Sequence, residues 1–305
     1  MSSSNQKDVF DFQAWRCPIC KESEEKMVGL RGGSSHRHGL GVETQIVRCK
    51  KCGLLYPNPF PVPRSLQKIY GDPVSYFVRH DYSEKIAASK TLMQNAAKRL
   101  KQVKFKSLDI GAGRGELVHA AIQDGFDIVG LELSEAMIAA AKEHYNITLV
   151  NQSIESHAES HPNTYDFICM NSVLEHVYDP DSMINAASKL VSDKGLLFIE
   201  LPNEPNLHTR IGNFVNRIRG STVVYNLSPT WSPYHVYGFN PPALRTLLSK
   251  YGLEIVEVKI SSGHTILSDG SLKDRIKSFI ANAINVVANL TGTASNMMVW
   301  AKKIK

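Results

Sequence analysis

No apolar run in the 305 residues reaches the roughly 18 that a membrane-spanning helix needs. The first eleven residues are polar and lack the apolar core of a secretory signal, so a cytoplasmic protein is the expectation. Charge of one sign is in small excess: a formal +6 permits an anionic substrate without demanding nucleic acid. Cysteine is sparse. Four of the five fall in two C-x-x-C pairs, which in a reducing compartment point to metal rather than disulfides. The glycine-rich turn is not followed by Gly-Lys-Ser/Thr, which excludes a phosphate P-loop, and it lacks the G-x-G-x-x-G spacing of a dinucleotide fingerprint. What remains is an ordinary globular composition, 43% hydrophobic and 21% charged, enough for one large domain with a small appendage.

The chain is organised around Ser107-Leu-Asp109-Ile-Gly111-Ala112-Gly113-Arg114-Gly115-Glu116. It reads as a buried strand, a glycine turn and the start of a helix. Glycines at alternate positions take the positive φ of a tight turn and put no Cβ between main chain and ligand. The helix beginning near Arg114 offers unsatisfied N–H groups and the positive end of its dipole. Asp109 would repel a pyrophosphate but suits a ligand carrying an amino group. The next strand ends at Glu132, an acid placed to accept both hydroxyls of a ribose.

Strand and helix then alternate. Strands are expected over 106–110, 127–132, 147–150, 167–170, 195–201, 253–260 and 296–302, and helices over 83–102, 114–124, 134–145 and 241–251. This alternation predicts a parallel, doubly wound sheet whose ligands gather beyond the carboxyl ends of its strands.

Three motifs stand in order: the D-x-G-x-G-x-G turn from Asp109 to Gly115, then Glu132, then Tyr165-Asp166-Phe-Ile-Cys-Met-Asn171-Ser-Val-Leu-Glu175-His176. Over roughly residues 80–305 they resemble the class I S-adenosylmethionine (SAM)-dependent methyltransferases. The resemblance implies an α/β fold with a doubly wound, seven-stranded Rossmann-like sheet, the last strand lying antiparallel beside the sixth. It implies SAM as cofactor, its methionine part held by Asp109, Gly111, Ala112, Gly113 and Gly115 and its ribose by Glu132. Ser153 and Ile154 fall where the family contacts adenine, and Leu133 and Asn171 complete the cofactor-binding set. A generic nucleotide binder using the same turn is the alternative.

Ahead of this core, Cys17-Pro-Ile-Cys20 and Cys49-Lys-Lys-Cys52-Gly53 can supply four thiolates to one tetrahedral Zn²⁺. We expect a leader over 1–13, a zinc ribbon over 14–56, a linker and lid or helical segment over 57–104 and the methyltransferase core over 105–305. Four cysteine ligands leave no open coordination position, so the zinc reads as structural. A redox pair would need a helix start after Cys20, which Lys21-Glu22-Ser23-Glu24-Glu25 does not provide. His36 and His38 read as exposed loop histidines. Residues 54–63 are proline-rich, hence extended and stiff. The ribbon, this linker and the Tyr76-Phe77 pair resemble the nucleotide-sugar C-methyltransferases and their relatives. That likeness implies an N-terminal part folded over the substrate site, with Tyr76 as a lid residue.

The core pattern breaks twice, at about 202–238 and 261–295. The first insertion carries Arg210, Arg217, Arg219, Tyr225, Trp231, Tyr234, His235 and Tyr237 and looks like a substrate pocket and lid. The second contains an amphipathic helix at 271–291, with Lys273, Arg275 and Lys277 near its start. Its apolar face either packs on the sheet or meets a membrane surface or a second subunit.

Methyl transfer from a sulfonium is an in-line displacement that needs an aligned nucleophile and, for a hydroxyl or carbon acid, a base neutral near pH 7. His235 is the first candidate and His176 the second, with Tyr234 and Tyr76 completing the catalytic set. The sugar C-methyltransferases carry a histidine at the position of His235, often preceded by glutamate. Tyr234 stands there instead, which leaves O-methylation open. Cys169, inside a strand, reads as a buried apolar residue.

The expected function is methyl transfer to a small-molecule acceptor, a nucleotide-linked or lipid-linked sugar in polysaccharide or glycoconjugate biosynthesis. One alternative is a quinone-like or other lipid acceptor. Another is a nucleic-acid methyltransferase with the ribbon as reader. Asn171-Ser-Val-Leu, in place of Asn/Asp-Pro-Pro-Tyr/Phe, and the ribbon acids Glu22, Glu24 and Glu25 weigh against it. A non-catalytic SAM-binding scaffold is the third. The expected setting is the cytoplasm, with residues 271–291 offering a peripheral contact at the inner membrane face. The oligomeric state is left open.

Overall fold

The computed structural model describes residues 9–65, 82–262 and 270–304, and Tyr76 and Phe77 lie outside these described residues. Five short strands open the chain: β1 (Phe10–Gln13), β2 (Glu25–Arg31), β3 (Thr44–Cys49), β4 (Leu55–Pro57) and β5 (Phe60–Pro63). β2, β3 and β4 form an antiparallel sheet in that order, and β1 pairs antiparallel with β5. The stretch expected as a loose leader therefore ends in structure. Phe10 is buried, Asp11 meets Arg64 at 2.8 Å, and Trp15 stacks on Phe60 with ring centroids 4.2 Å apart.

The rest of the chain runs α1 (Tyr82–Leu100), β6 (Lys106–Ile110), α2 (Glu116–Gln123), β7 (Asp127–Leu131), α3 (Glu135–Tyr145), α4 (Ile154–Ser160), β8 (Tyr165–Asn171), α5 (Pro180–Leu190), β9 (Val191–Pro202), α6 (Leu207–Ile218), α7 (Pro241–Ser249), β10 (Leu253–Ser261), α8 (Leu272–Leu290) and β11 (Asn296–Lys303). One mixed sheet of order β10-β11-β9-β8-β6-β7 results. β7, β6, β8 and β9 are parallel, and β11 runs antiparallel between β9 and β10. This is the α/β Rossmann-like methyltransferase arrangement.

The strand expected at 147–150 is reduced to a single parallel bridge, Val150 to Leu131. α3 ends in a left-handed Asn146, and Ser153 already caps α4, so the intervening residues are too few to run a ladder. Elsewhere the helix starts follow their sequence signals. Ser134, Asp179 and Asn240 each accept a hydrogen bond from the backbone three residues on, with proline in the first turn after the last two. Phe167 to Met170 is buried on both faces, as an inner parallel strand should be.

The N-terminal strands and the sheet share one apolar core, in which Ile19, Leu54, Tyr56 and Phe60 join Ile184, Tyr237 and Leu247. Polar contacts fix the same interface. The Asn240 amide donates to the Gly53 carbonyl at 2.7 Å while its oxygen caps α7 at Ala243 N, 2.9 Å away. Bridges join Leu55 to Gly238 and Leu30 to Val223. The first insertion is thus clasped by the ribbon strands. It also holds a helix, α6, that the broken core pattern did not announce. No helix among the described residues is long and apolar enough to cross a membrane.

Candidate active site and cysteine cluster

The glycine turn has the backbone its sequence requires, with φ of 67°, 56° and 81° at Gly111, Gly113 and Gly115. A Cβ on Gly111 would lie 2.7 Å from Val173 Cγ2, so the turn packs directly against the segment that follows β8. Gly115 is tight against Ile147. Ala112 is buried and donates to the Leu131 carbonyl at 2.9 Å, which ties the turn to β7. Glu132 accepts from Gly113 N through one oxygen and from Ser134 N through the other, each at 2.8 Å. Its carboxylate is thereby held in one orientation, with lone pairs left for two hydroxyls.

Asp109 is buried at the end of β6, and burial, then Glu116 and Glu132, push its carboxyl up to about 8. Glu116 is balanced in part by Arg114 at 2.9 Å and Lys85 at 3.7 Å. A buried acid among acids fits a cationic ligand, so the turn suits the ammonium end of SAM. The Val150 bridge sets residues 151–154 beside the carboxyl end of β7. Ser153 caps α4 by accepting from Ser156 N at 3.2 Å, Ile154 is buried, Leu133 is exposed, and Asn171 ends β8.

Beyond Val173 the same segment carries Glu175 and His176. Their partner is His235, from the end of the insertion. One donor atom from each of the three side chains lies within 4.8 Å of the others, and the two imidazoles meet edge to face with centroids 4.7 Å apart. The juncture is held by main chain, the Glu175 carbonyl accepting from Val236 N at 2.9 Å and Tyr237 N at 3.2 Å. His176 Nδ1 lies 3.4 Å from the Tyr234 carbonyl, which assigns the proton to Nδ1 and leaves Nε2 facing Glu175 Oε1 at 3.7 Å. Tyr234 adopts a left-handed φ of 60°, a strained state for a tyrosine that aims this carbonyl at the ring.

Burial sets the protonation of all three groups. It pushes Glu175 up to about 8, and both its carboxyl oxygens are buried without a hydrogen-bond partner among the described residues. It lowers His235 to about 4, and together with His235 it lowers His176 to about 3. At neutral pH the cluster is a neutral acid beside two neutral imidazoles. Read from the sequence, the two histidines are rival candidates, whereas the fold brings them together and adds Glu175. The available signal for Glu175 was its place in a Glu-His doublet directly after a core strand. The predicted tyrosines divide: Tyr234 is at the cluster and Tyr76 is outside the described residues.

The four predicted cysteines converge. Cys17 Sγ is 3.6 Å from Cys52 Sγ and Cys20 Sγ 3.4 Å from Cys49 Sγ, all four within 4.8 Å of one another. A tetrahedron of ~2.3 Å zinc–sulfur bonds spaces its sulfurs by about 3.8 Å, so this donor set fits zinc. His36 lies elsewhere, its ring 5.2 Å from that of Trp231.

A family model described as a methyltransferase domain matches residues 78–258, and the chain belongs to that family. The matched segment is a methyltransferase domain. The ubiquinone biosynthesis O-methyltransferase of Aliivibrio fischeri (strain MJ11) is 30% identical over 154 residues, 49% of this chain and 64% of that protein. The protein of the same name from Photorhabdus laumondii is 35% identical over 103 residues, 32% of this chain and 43% of that one. The chain therefore spans less than two thirds of the length of these relatives. A solved SAM-dependent methyltransferase from Archaeoglobus fulgidus aligns with a TM-score of 0.47 at 20% identity, covering 73% of this chain and 98% of that one.

Proposed function

We propose that the enzyme methylates a hydroxyl of a small, quinone-like lipid acceptor. The observation that carries this reading is the neutral Glu175–His176–His235 cluster, set directly behind the segment that packs on the SAM turn, in a chain whose curated relatives are named ubiquinone biosynthesis O-methyltransferases. SAM, when bound, supplies an electrophilic methyl group. Asp109 would take its ammonium, Glu132 its ribose hydroxyls, and Ser153 and Ile154 its adenine, with Leu133 and Asn171 completing the cofactor-binding set. His235 would take the proton of the acceptor hydroxyl as its oxygen bonds to the methyl carbon and the sulfur–methyl bond breaks, the electron pair going to sulfur and S-adenosylhomocysteine leaving. His176, oriented by Tyr234, and Glu175 lie behind it. Glu175 ionises more readily beside an imidazolium, which offsets the new charge. Tyr234 is assigned to the acceptor wall. Zn²⁺ at Cys17, Cys20, Cys49 and Cys52 is structural, with every ligand position filled by cysteine.

A nucleotide-linked or lipid-linked sugar is the second reading. Its support is the clasp between the ribbon and the insertion, through Asn240 to Gly53 and Phe60 beside Tyr237, which lays the N-terminal part over the segment carrying His235.

The test is transfer of labelled methyl from SAM into fractionated cell extract. Label in an organic-extractable phenol, abolished by His235→Ala, is the expected result. Label in small anions sensitive to nucleotide-sugar pyrophosphatase would move the assignment to the second reading. Label lost on ribonuclease treatment would refute both.

A further inference from the structure

Two helices outside the site carry apolar stripes that the protein does not bury. On α8, Leu272, Ile276, Phe279, Ile280, Val287 and Leu290 fall within an arc of about 120° at 100° per residue. Leu272 and Phe279 are each 75% exposed and Leu290 is 83% exposed, whereas the buried residue of this helix is Ala288. The alternative that this face packs on the sheet is thus not met: Ala288 is buried and Ile284 half-buried, while the large side chains of the stripe face outward. α6 repeats the pattern. Ile211, Phe214, Val215 and Ile218 share one arc, with Phe214 63% and Ile218 71% exposed. Its inward side is polar, Asn213 bonding Asn226 at 2.7 Å and Asn216 the Val223 carbonyl at 2.8 Å. The two helices touch where His208 Nε2 meets Asn285 Oδ1 at 2.7 Å.

The charges beside these stripes are mostly of one sign. Arg210 and Arg217 border the α6 stripe and Arg219 follows it, with no acid between Leu207 and Arg219. Lys273 and Arg275 border the α8 stripe on its two sides at the N-terminal end. Asp274, the acid of that turn, lies on the polar side and pairs with Lys277 at 3.3 Å. Large apolar side chains flanked by long cationic ones match an interfacial helix, whose rings enter the acyl boundary while its guanidinium and ammonium groups reach anionic headgroups. A second copy of the same face would bring cations against cations, which argues against an isologous dimer.

We propose that the exposed stripes of α6 and α8 dock the enzyme on the surface of an anionic lipid bilayer. α6 belongs to the insertion that also carries Tyr234 and His235, so docking would set the catalytic cluster close to a lipid-borne acceptor. The proposal extends the acceptor reading above but does not depend on it.

The experiment is co-sedimentation of the full chain with vesicles, either of phosphatidylcholine alone or containing about a third phosphatidylglycerol. The wild type is expected to sediment with the anionic vesicles and to be released by salt. Phe214→Ser with Phe279→Ser should weaken that binding about tenfold or more, with circular dichroism unchanged. Arg210→Gln with Arg275→Gln should remove the preference for anionic lipid. Absence of vesicle binding by the folded wild type would overturn the proposal. So would a concentration-dependent dimer that the two phenylalanine substitutions dissociate. Methyl transfer to a soluble acceptor is read separately, so a wild type that transfers methyl but binds no vesicle faults this proposal and leaves the catalytic reading standing.

Discussion

His176 and His235 meet edge to face, with ring centroids 4.7 Å apart at an interplanar angle of 63°, although one follows a core strand and the other ends an insertion. The contact makes them one unit with Glu175. His235→Ala should lower kcat by about 10²–10⁴ while leaving SAM affinity, measured by calorimetry, unchanged. Adding His176→Ala should cost little more, because residues acting as a unit are not additive. Burial lowers His235 to about 4, so its imidazole is already neutral over pH 5–8. The acid limb of kcat should lie near 4, not near the 6.5 of a free histidine.

Asp109 gives a second pH dependence, of opposite use. Its carboxyl is pushed up to about 8 and is protonated at pH 6. An ammonium ligand prefers the ionised form, so binding releases a proton. SAM affinity should rise with pH, by up to about tenfold per unit, and level off above 8. Asp109→Asn should weaken binding and flatten this slope. Affinity independent of pH in the wild type would remove Asp109 from the ammonium site.

Gly111→Ala tests the contact between the turn and the segment leading to the cluster. The position has a φ of 67°, and the new methyl would meet Val173 Cγ2 at 2.7 Å. A loss of about 1–3 kcal/mol in stability is expected, together with weaker SAM binding. Val173→Ala in the same chain should relieve the steric part and leave the backbone part, which chemical denaturation can separate.

The cysteine cluster predicts about one zinc per chain by metal analysis. Cys49→Ser or a strong chelator should lower stability by several kcal/mol and release the metal. Tyr56 and Phe60, next to the second knuckle in sequence, share a core with Tyr237 beside the catalytic segment, so activity should fall with the metal although zinc touches no substrate. Full activity in a zinc-free, folded protein would break that link.

The sequence by itself determined the local elements and the ligand-binding backbone. Asp109, the alternate glycines and Glu132 lie within one β-turn-α-β unit, where spacing fixes geometry, and the helix starts at the Ser134 cap and at Pro241 are written in single residues, whereas α5 after Asp179 was not expected. The cysteine pairs were legible for the same reason, each pair being one short turn. The reduced strand at Val150 was not, because two helix ends compete for the same few residues. α6 was hidden inside an apparent loop, since a helix whose apolar side faces out leaves no gap in the core for the pattern to explain. Tertiary structure alone decided that His176, His235 and Glu175 converge, and that α8 exposes the face a sheet-packing helix would bury. The first of these depends on how the insertion folds back under the ribbon strands. Contacts between segments far apart in the chain are set by packing and burial, and no local periodicity encodes them.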